Sequence, residues 1–309
     1  MTAMTFAATA HNHASTDNAF NPDTQRIKSH LFFLADDLLE GRDTGSRGHE
    51  IAALYIATEF AKYGLKPAGT DGYMQNVAFR KANLVQESPK FTFTQNGETV
   101  EFDYPKEYLA SPSLLSTEAN VKGEMVFVGY GIVADELSHN DYKDLDVKGK
   151  VVVALAGKPS DFPSEEGAHF ASGYQKQKYA VDNGAIGMIT ITTPKNEKVR
   201  PYQSRLNYIH TPRMAWLDDS GQPANSFSQL KGGAYMSEGA ARKLFEGAEK
   251  SLDDVYAQLE ADKVPQGFAL NGVVDISKTS VHDTITSPNV VGVLEGSDPE
   301  LKNEYVVFS

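Results

Sequence analysis

The side chains able to hold a metal ion or move a proton are eight histidines and 41 acidic residues; there is no cysteine. Thiol nucleophiles, disulfides, iron–sulfur clusters and cysteine zinc sites are thereby excluded. The histidines are His11, His13, His30, His49, His139, His169, His210 and His282. None lies in His-Glu-x-x-His, and no pair is spaced i, i+4 on an expected helix, the arrangement that puts two imidazoles on one face for a shared ion. His11-x-His13 falls in a polar N-terminal stretch and reads as solvated. His282-Asp283, with Asp275 nearby in sequence, falls in a strand pattern. Successive strand residues face opposite sides, so these two do not share an ion. Glu165-Glu166-Gly167-Ala168-His169 follows Pro159 and Pro163 and reads as a solvated loop.

Other chemistries fare no better. Asp36, Asp37 and Glu40 are carboxylates near the end of a helix pattern. Neighbouring positions diverge by about 100° around a helix, so Asp36 and Asp37 are not a facing acid–base pair. Arg42 and Arg47 read as ties for the turn-rich loop between them. Gly45-Ser46-Arg47-Gly48 is not the Gly-x-Ser-x-Gly elbow of a serine hydrolase. Gly129-Tyr130-Gly131 lacks the third glycine and following helix of a dinucleotide site. The single tryptophan, Trp216, sits in the apolar run Met214–Leu217 and reads as core.

The elements that would position these residues follow from periodicity in a chain of 309 residues, 40% hydrophobic and 23% charged, long enough for two domains. The formal charge of −12 argues against nucleic acid, whose phosphates select a basic face. No apolar run approaches the ~20 residues needed to span a bilayer. Met1–Ala10, apolar and ending Ala8-Thr9-Ala10, is similar to the end of a secretory signal, which would place the protein outside the cytoplasm, secreted or periplasmic. The equal alternative is an ordinary unstructured terminus. Ile27, Leu31, Leu34 and Leu38 form a helical stripe stopped by Gly41, and a second helix runs from about His49 to Tyr63 with Ile51, Leu54 or Tyr55, Thr58 and Ala61 inward and Gly64 as its stop. Phe91–Gln95 and Glu98–Phe102 flank Asn96-Gly97, a two-residue hairpin turn. Strands are expected at Glu124–Val128, Lys150–Ala156, Ile186–Ile191, Met214–Leu217, Phe268–Ile276, Val281–Thr286, Asn289–Leu294 and Tyr305–Ser309. Helices are expected at Tyr174–Asn183, from Ser237 to about Glu246, and at Leu252–Ala261.

Three segments together resemble the M28 family of zinc aminopeptidases, in the form that carries a protease-associated (PA) domain as an insert. The first is His30–Arg42 with Gly45-Ser46-Arg47-Gly48, continuing into Gly64–Gly69. The second is Val126–Val133 with Tyr142–Val153. The third is Ser287–Gly296 leading to Tyr305–Ser309. The resemblance implies an α/β fold: a partial zinc-peptidase α/β domain interrupted by a β-rich PA-like domain. It also implies the division: 1–23 a signal remnant or disordered, 24–104 the first peptidase part, 105–267 the PA-like insert, and 268–309 the first strands of the catalytic domain.

In that family the strand equivalent to Tyr305–Ser309 leads into a His-x-Asp pair that begins the two-zinc site. The full-length parent would therefore use two zinc ions about 3.5–4 Å apart to activate water. This chain is expected to stop before the first ligand, to hold no zinc and no catalytic residue of its own, and to be a truncated and inactive portion. Its partners would be peptides or protein N-termini, with no nucleic acid and no transmembrane segment. The alternatives are a non-catalytic module that binds peptides or a partner, and a relative that has lost its metals.

Overall fold

The computed structural model describes residues 21–309; the expectations for the N-terminal signal and for His11 and His13 fall outside the described residues. The chain is α/β. Its elements begin with α1 (Thr24–Leu34), α2 (Arg47–Lys62), β1 (Lys66–Pro67), β2 (Met74–Leu84), β3 (Lys90–Gln95), β4 (Glu98–Glu101), β5 (Tyr108–Leu109) and β6 (Glu118–Phe127). There follow β7 (Val133–Ala134), β8 (His139–Asn140), β9 (Val151–Leu155), α3 (Ser164–Ala171), α4 (Gly173–Asp182) and β10 (Gly187–Ile191). The remainder holds α5 (Pro194–Val199), α6 (Tyr202–Arg205), β11 (Arg213–Trp216), β12 (Gly232–Met236), α7 (Glu238–Leu244), α8 (Leu252–Glu260), β13 (Phe268–Val290) and β14 (Gly292–Val293). Two compact units result, one built from residues up to Gln75 together with Pro288–Ser309, the other from Asn76–Ser287.

In the first unit Asp23 caps α1 by accepting from the Gln25 and Arg26 amides. The stripe expected to run on to Leu38 stops at Leu34. Asp36 accepts from the Leu38 amide at 2.9 Å and starts a separate 3-10 turn, Asp37–Arg42, in which Glu40 and Gly41 have positive φ. Leu39 is buried and Leu38 is 86% exposed. Ser46 caps α2 through the His49 amide, and Gly64, at φ +77°, ends it. The inward face of α2 is Gly48, Ala52, Ala53 and Ala57; Leu54 is exposed. The reason is close approach: a Cβ on Gly48 would stand 1.7 Å from the Leu39 carbonyl oxygen, so only small residues fit on that side. The unit closes where β1 pairs antiparallel with β14, Lys66 opposite Val293 and Pro67 opposite Gly292. His49 adds a contact from Nε2 to the Pro288 carbonyl oxygen at 3.0 Å. Tyr305–Ser309, expected as a strand, is irregular and largely solvent-exposed, since no strand among the described residues pairs with it.

The second unit is organised by a ten-stranded mixed sheet in the order β11-β2-β13-β6-β9-β10-β12-β5, with β3 on β13 and β4 on β3. At its centre β6, β9, β10 and β12 run parallel. All five residues of β9 are buried, which explains its unbroken apolar sequence: both faces are covered. Val151, Val153 and Leu155 point into a core with Leu244 of α7 and Val255 of α8. Val152 and Ala154 point into another with Ala180 of α4. The larger core also takes Phe91, Phe93, Phe102, Phe268 and Leu270, so residues on either side of 105–267 belong to this unit. The β3–β4 hairpin turns at Asn96 and Gly97, both with positive φ, as a type I′ turn requires. Phe268–Val290 is one continuous strand that joins the expected Phe268–Ile276 and Val281–Thr286 and takes in the start of the expected Asn289–Leu294. Residues 164–171, expected as a loop, form α3, with the helix opening at Pro163 and burying Gly167 and Phe170. Trp216 is 49% exposed, because β11 ends the sheet and has a partner on one side only.

Candidate binding cleft

The strands β11, β2 and β13 bring together basic residues that lie far apart in sequence. Arg213 on β11 is registered with Ala82 on β2, and Ala215 with Arg80. Directly paired residues share a face, as do alternate residues along a strand. On β13 the alternate residues Lys278, Ser280 and His282 therefore point the same way. Two of them fix a loop: the Ser280 hydroxyl accepts from the Ser113 amide at 2.9 Å, and His282 Nε2 donates to the Ser113 carbonyl at 2.8 Å. The Ser113 hydroxyl in turn accepts from the Leu115 and Ser116 amides. Both backbone groups of Ser113 are thus held by β13 side chains, and the segment 111–116 becomes a wall.

Between that wall and the ends of β10 and β12 lies a cleft of about 250 Å³. Lys278, Arg213 and Lys231 line it, alongside polar residues such as Ser111, Thr190 and Gln177, and none of its lining residues is acidic. Lys231 Nζ donates to the Ser228 carbonyl. Among the described residues, Arg213 and Lys278 have no hydrogen-bond or ion-pair partner. Burial of its ammonium lowers the Lys278 pKa to about 8, with the nearby Arg213 charge adding to the effect. Burial also lowers that of Arg213. Measured over the whole residue, Arg213 is exposed and Lys278 half-buried. Nothing in the cleft opposes either change, since its lining supplies no carboxylate to favour the charged forms.

A second polar cluster lies around α4. Lys176 is buried and donates to the Leu155 and Gly157 carbonyls at 2.8 and 2.6 Å. Its Nζ also sits 5.7 Å from the centre of the Tyr130 ring. Burial lowers its pKa to about 7, with Asp141 pulling the other way. Asp141 accepts from the Ile132 amide at 3.0 Å and stands 3.0 Å from His139 Nε2, which makes no hydrogen bond. Lys176 and Asp141 are both committed to backbone groups, so the cluster ties strands and loops together.

The residues singled out from sequence are dispersed. His30 contacts the Tyr55 hydroxyl, His49 reaches Pro288, and Asp36 caps its own turn. Asp275 meets Asn120 and Lys122, away from His282, and Asp283 accepts from the Thr284 amide. Glu165, Glu166 and His169 lie on α3. Among the described residues no group of three or more histidine and acidic side chains converges on one point. The donor set that two zinc ions require is therefore not met by these residues. The cleft cations went unread in the sequence because Arg213 and Lys278 meet only through strand pairing; the one local signal is the alternation Lys278-x-Ser280-x-His282.

No family model matches this chain, and no curated protein matches it. Among solved structures, it is similar to the aminopeptidase from Aneurinibacillus sp. strain AM-1, at 17% identity and a TM-score of 0.40, covering 90% of this chain and 50% of that one. It is also similar to BSAP, a zinc aminopeptidase from Bacillus subtilis, at 15% identity and a TM-score of 0.32, covering 89% and 47%. A third similarity is to the psychrophilic subtilisin-like protease Apa1 from the Antarctic psychrotroph Pseudoalteromonas sp. AS-11, at 10% identity, a TM-score of 0.28 and coverage of 67% and 36%. The chain spans about half the length of the first two. No helix among its described residues is long and apolar enough to cross a membrane.

Proposed function

We propose that this chain supplies the N-terminal and PA-like portion of a secreted or periplasmic M28-type zinc aminopeptidase, an enzyme that removes residues from peptide N-termini. One observation carries the reading. The first and third segments of the sequence resemblance, separated by more than 200 residues, meet as β1 and β14 in one compact unit, while the second lies in the other unit. A domain inserted into a host demands that arrangement, because the host chain must leave and return at neighbouring points.

On this reading the parent's zinc ligands are not among the described residues, and the 309-residue chain alone does not hydrolyse peptides. Two measurements test it. Turnover of an aminoacyl p-nitroanilide by the pure chain with added zinc, abolished by a chelator, would overturn the inactivity. Sequencing the coding frame past Ser309 tests the family: a His-x-Asp within a few codons is expected, and an open frame without one removes the aminopeptidase reading.

The cation-lined cleft favours a second reading, a module that binds peptides or a partner without catalysis. Saturable peptide binding without turnover or zinc distinguishes it.

A further inference from the structure

We propose that the cleft between β13, β11 and the Ser113 loop is a binding site for a small ligand bearing an oxyanion, a carboxylate or a phosphate. The inference goes beyond the aminopeptidase reading and stands or falls separately from it.

Three observations carry it. The chain has 41 acidic residues against 29 lysines and arginines, yet the cleft is lined by three cations and no acid. Two of those cations, Arg213 and Lys278, line the same cleft and have no counter-ion among the described residues. Like charges held together in a sheltered place are unfavourable unless something of opposite sign joins them. Finally, the site is built. Ser280 and His282 fix the Ser113 loop from the same strand face that presents Lys278, and Arg80 holds His282 from the other ring nitrogen at 3.2 Å. Walls fixed by hydrogen bonds keep the cations in place before a ligand arrives, which reduces the ordering cost of binding.

The ligand's charged group follows from the donors. A guanidinium offers a planar fork that matches two oxygens of a carboxylate or phosphate, and an ammonium beside it supplies a compact charge. A volume of about 250 Å³ suits a small molecule or the end of a peptide, with Met188 and Leu114 as apolar contacts.

The test is a titration of the full chain at constant ionic strength, followed by calorimetry and by NMR. The probes are sodium acetate, inorganic phosphate, acetyl-dialanine with a free carboxylate, and the same dipeptide amidated. Saturable binding of at least one anion is expected, weakened about tenfold by R213Q and by K278M and unchanged by K143Q, which removes an exposed cation outside the cleft. Stronger binding of acetate and the free-acid dipeptide assigns a carboxylate; stronger binding of phosphate assigns a phosphate. If K278M does not fold, R213Q on the outermost strand carries the test. Absence of saturation by every anion, binding of the amidated dipeptide as tight as that of the best anion, or wild-type affinity in R213Q for that anion would overturn the proposal.

Discussion

Arg80 and His282 are joined by a contact of 3.2 Å from Nη1 to Nδ1, which fixes the state of the imidazole. A guanidinium only donates, so Nδ1 accepts and the ring proton is on Nε2, which gives it to the Ser113 carbonyl. Glutamine can imitate both roles with its amide. H282A is expected to cost about 1–3 kcal/mol, leaving two polar groups unpaired, and H282Q is expected to recover part of that loss. Urea midpoints decide it: equal midpoints for the two variants would show that the ring is held by packing alone.

Lys176 makes the fold's stability depend on pH. Its pKa is near 7 in the folded chain and near the ordinary lysine value when unfolded. Between those values the unfolded chain binds the extra proton, so stability rises as pH rises from 7 toward 10. Lys278, at about 8, acts in the same sense over a narrower range. Tyr108, Tyr142 and Tyr202 act oppositely above pH 10, because burial raises their pKa and unfolding lets them ionise. Maximal stability is therefore expected near pH 9–10. K176M is expected to flatten the rise between pH 7 and 9, measured by thermal melts. A wild-type melting temperature that falls steadily from pH 7 would contradict this.

What the sequence made legible was local chemistry. Asn96-Gly97 placed a hairpin, Gly64 ended a helix, and Ser237 opened one through the Ala240 amide. The unbroken apolar run at Val151–Leu155 announced a strand covered on both faces. Misreadings arose where a distant element decided the outcome. The face of α2 was misjudged because hydrophobicity points to Leu54, whereas contact with Leu39 selects Gly48, Ala52 and Ala53. Trp216 is apolar enough for a core, but β11 lies at an edge. Proline at 159 and 163 suggested a loop, yet proline is well tolerated where a helix begins, and α3 starts there. The cleft was invisible for the same reason, since only the registers of β2, β11 and β13 bring Arg80, Arg213, Lys278 and His282 together.

Gly48 gives a severe steric prediction. Its absent Cβ would penetrate the Leu39 carbonyl, a backbone group that cannot swing aside. G48A is expected to destabilise the first unit by about 3 kcal/mol or more, although alanine is the better helix former. Hydrogen exchange gives the readout: amides of α2 should exchange faster, while those of β9 in the second unit keep their protection. Unchanged protection in α2 would mean that the close approach relaxes at little cost.

Ser251 opens α8 with a reciprocal cap. Its hydroxyl accepts from the Asp254 amide at 3.1 Å, and the Asp254 carboxylate accepts from the Ser251 amide at 3.0 Å. The helix presents Leu252, Val255 and Tyr256 to the core, so fraying at its start loosens buried packing. S251A is expected to cost about 1 kcal/mol, and S251D less, since aspartate caps comparably. Denaturant midpoints of the two variants provide the comparison.

The cleft should bind anions with a pH dependence set by Lys278. Its surroundings hold two further cations, Arg213 and Lys231, and the hydroxyl of Tyr235, with no carboxylate in the lining. With a folded pKa of about 8, Lys278 is largely protonated at pH 7 and largely neutral at pH 9. A bound anion favours the charged form, so binding above pH 8 draws a proton from solution and weakens as pH rises. Arg213 keeps its charge throughout, and it sustains residual binding at high pH. The expectation is near-constant affinity from pH 6 to 7, a decline of roughly tenfold by pH 9, and proton uptake at pH 8 detected as a dependence of binding enthalpy on the buffer. In K278M the affinity should be low and flat across this range. A wild-type affinity unchanged between pH 6 and 9 would remove Lys278 from the site and leave Arg213 and Lys231 as its cations.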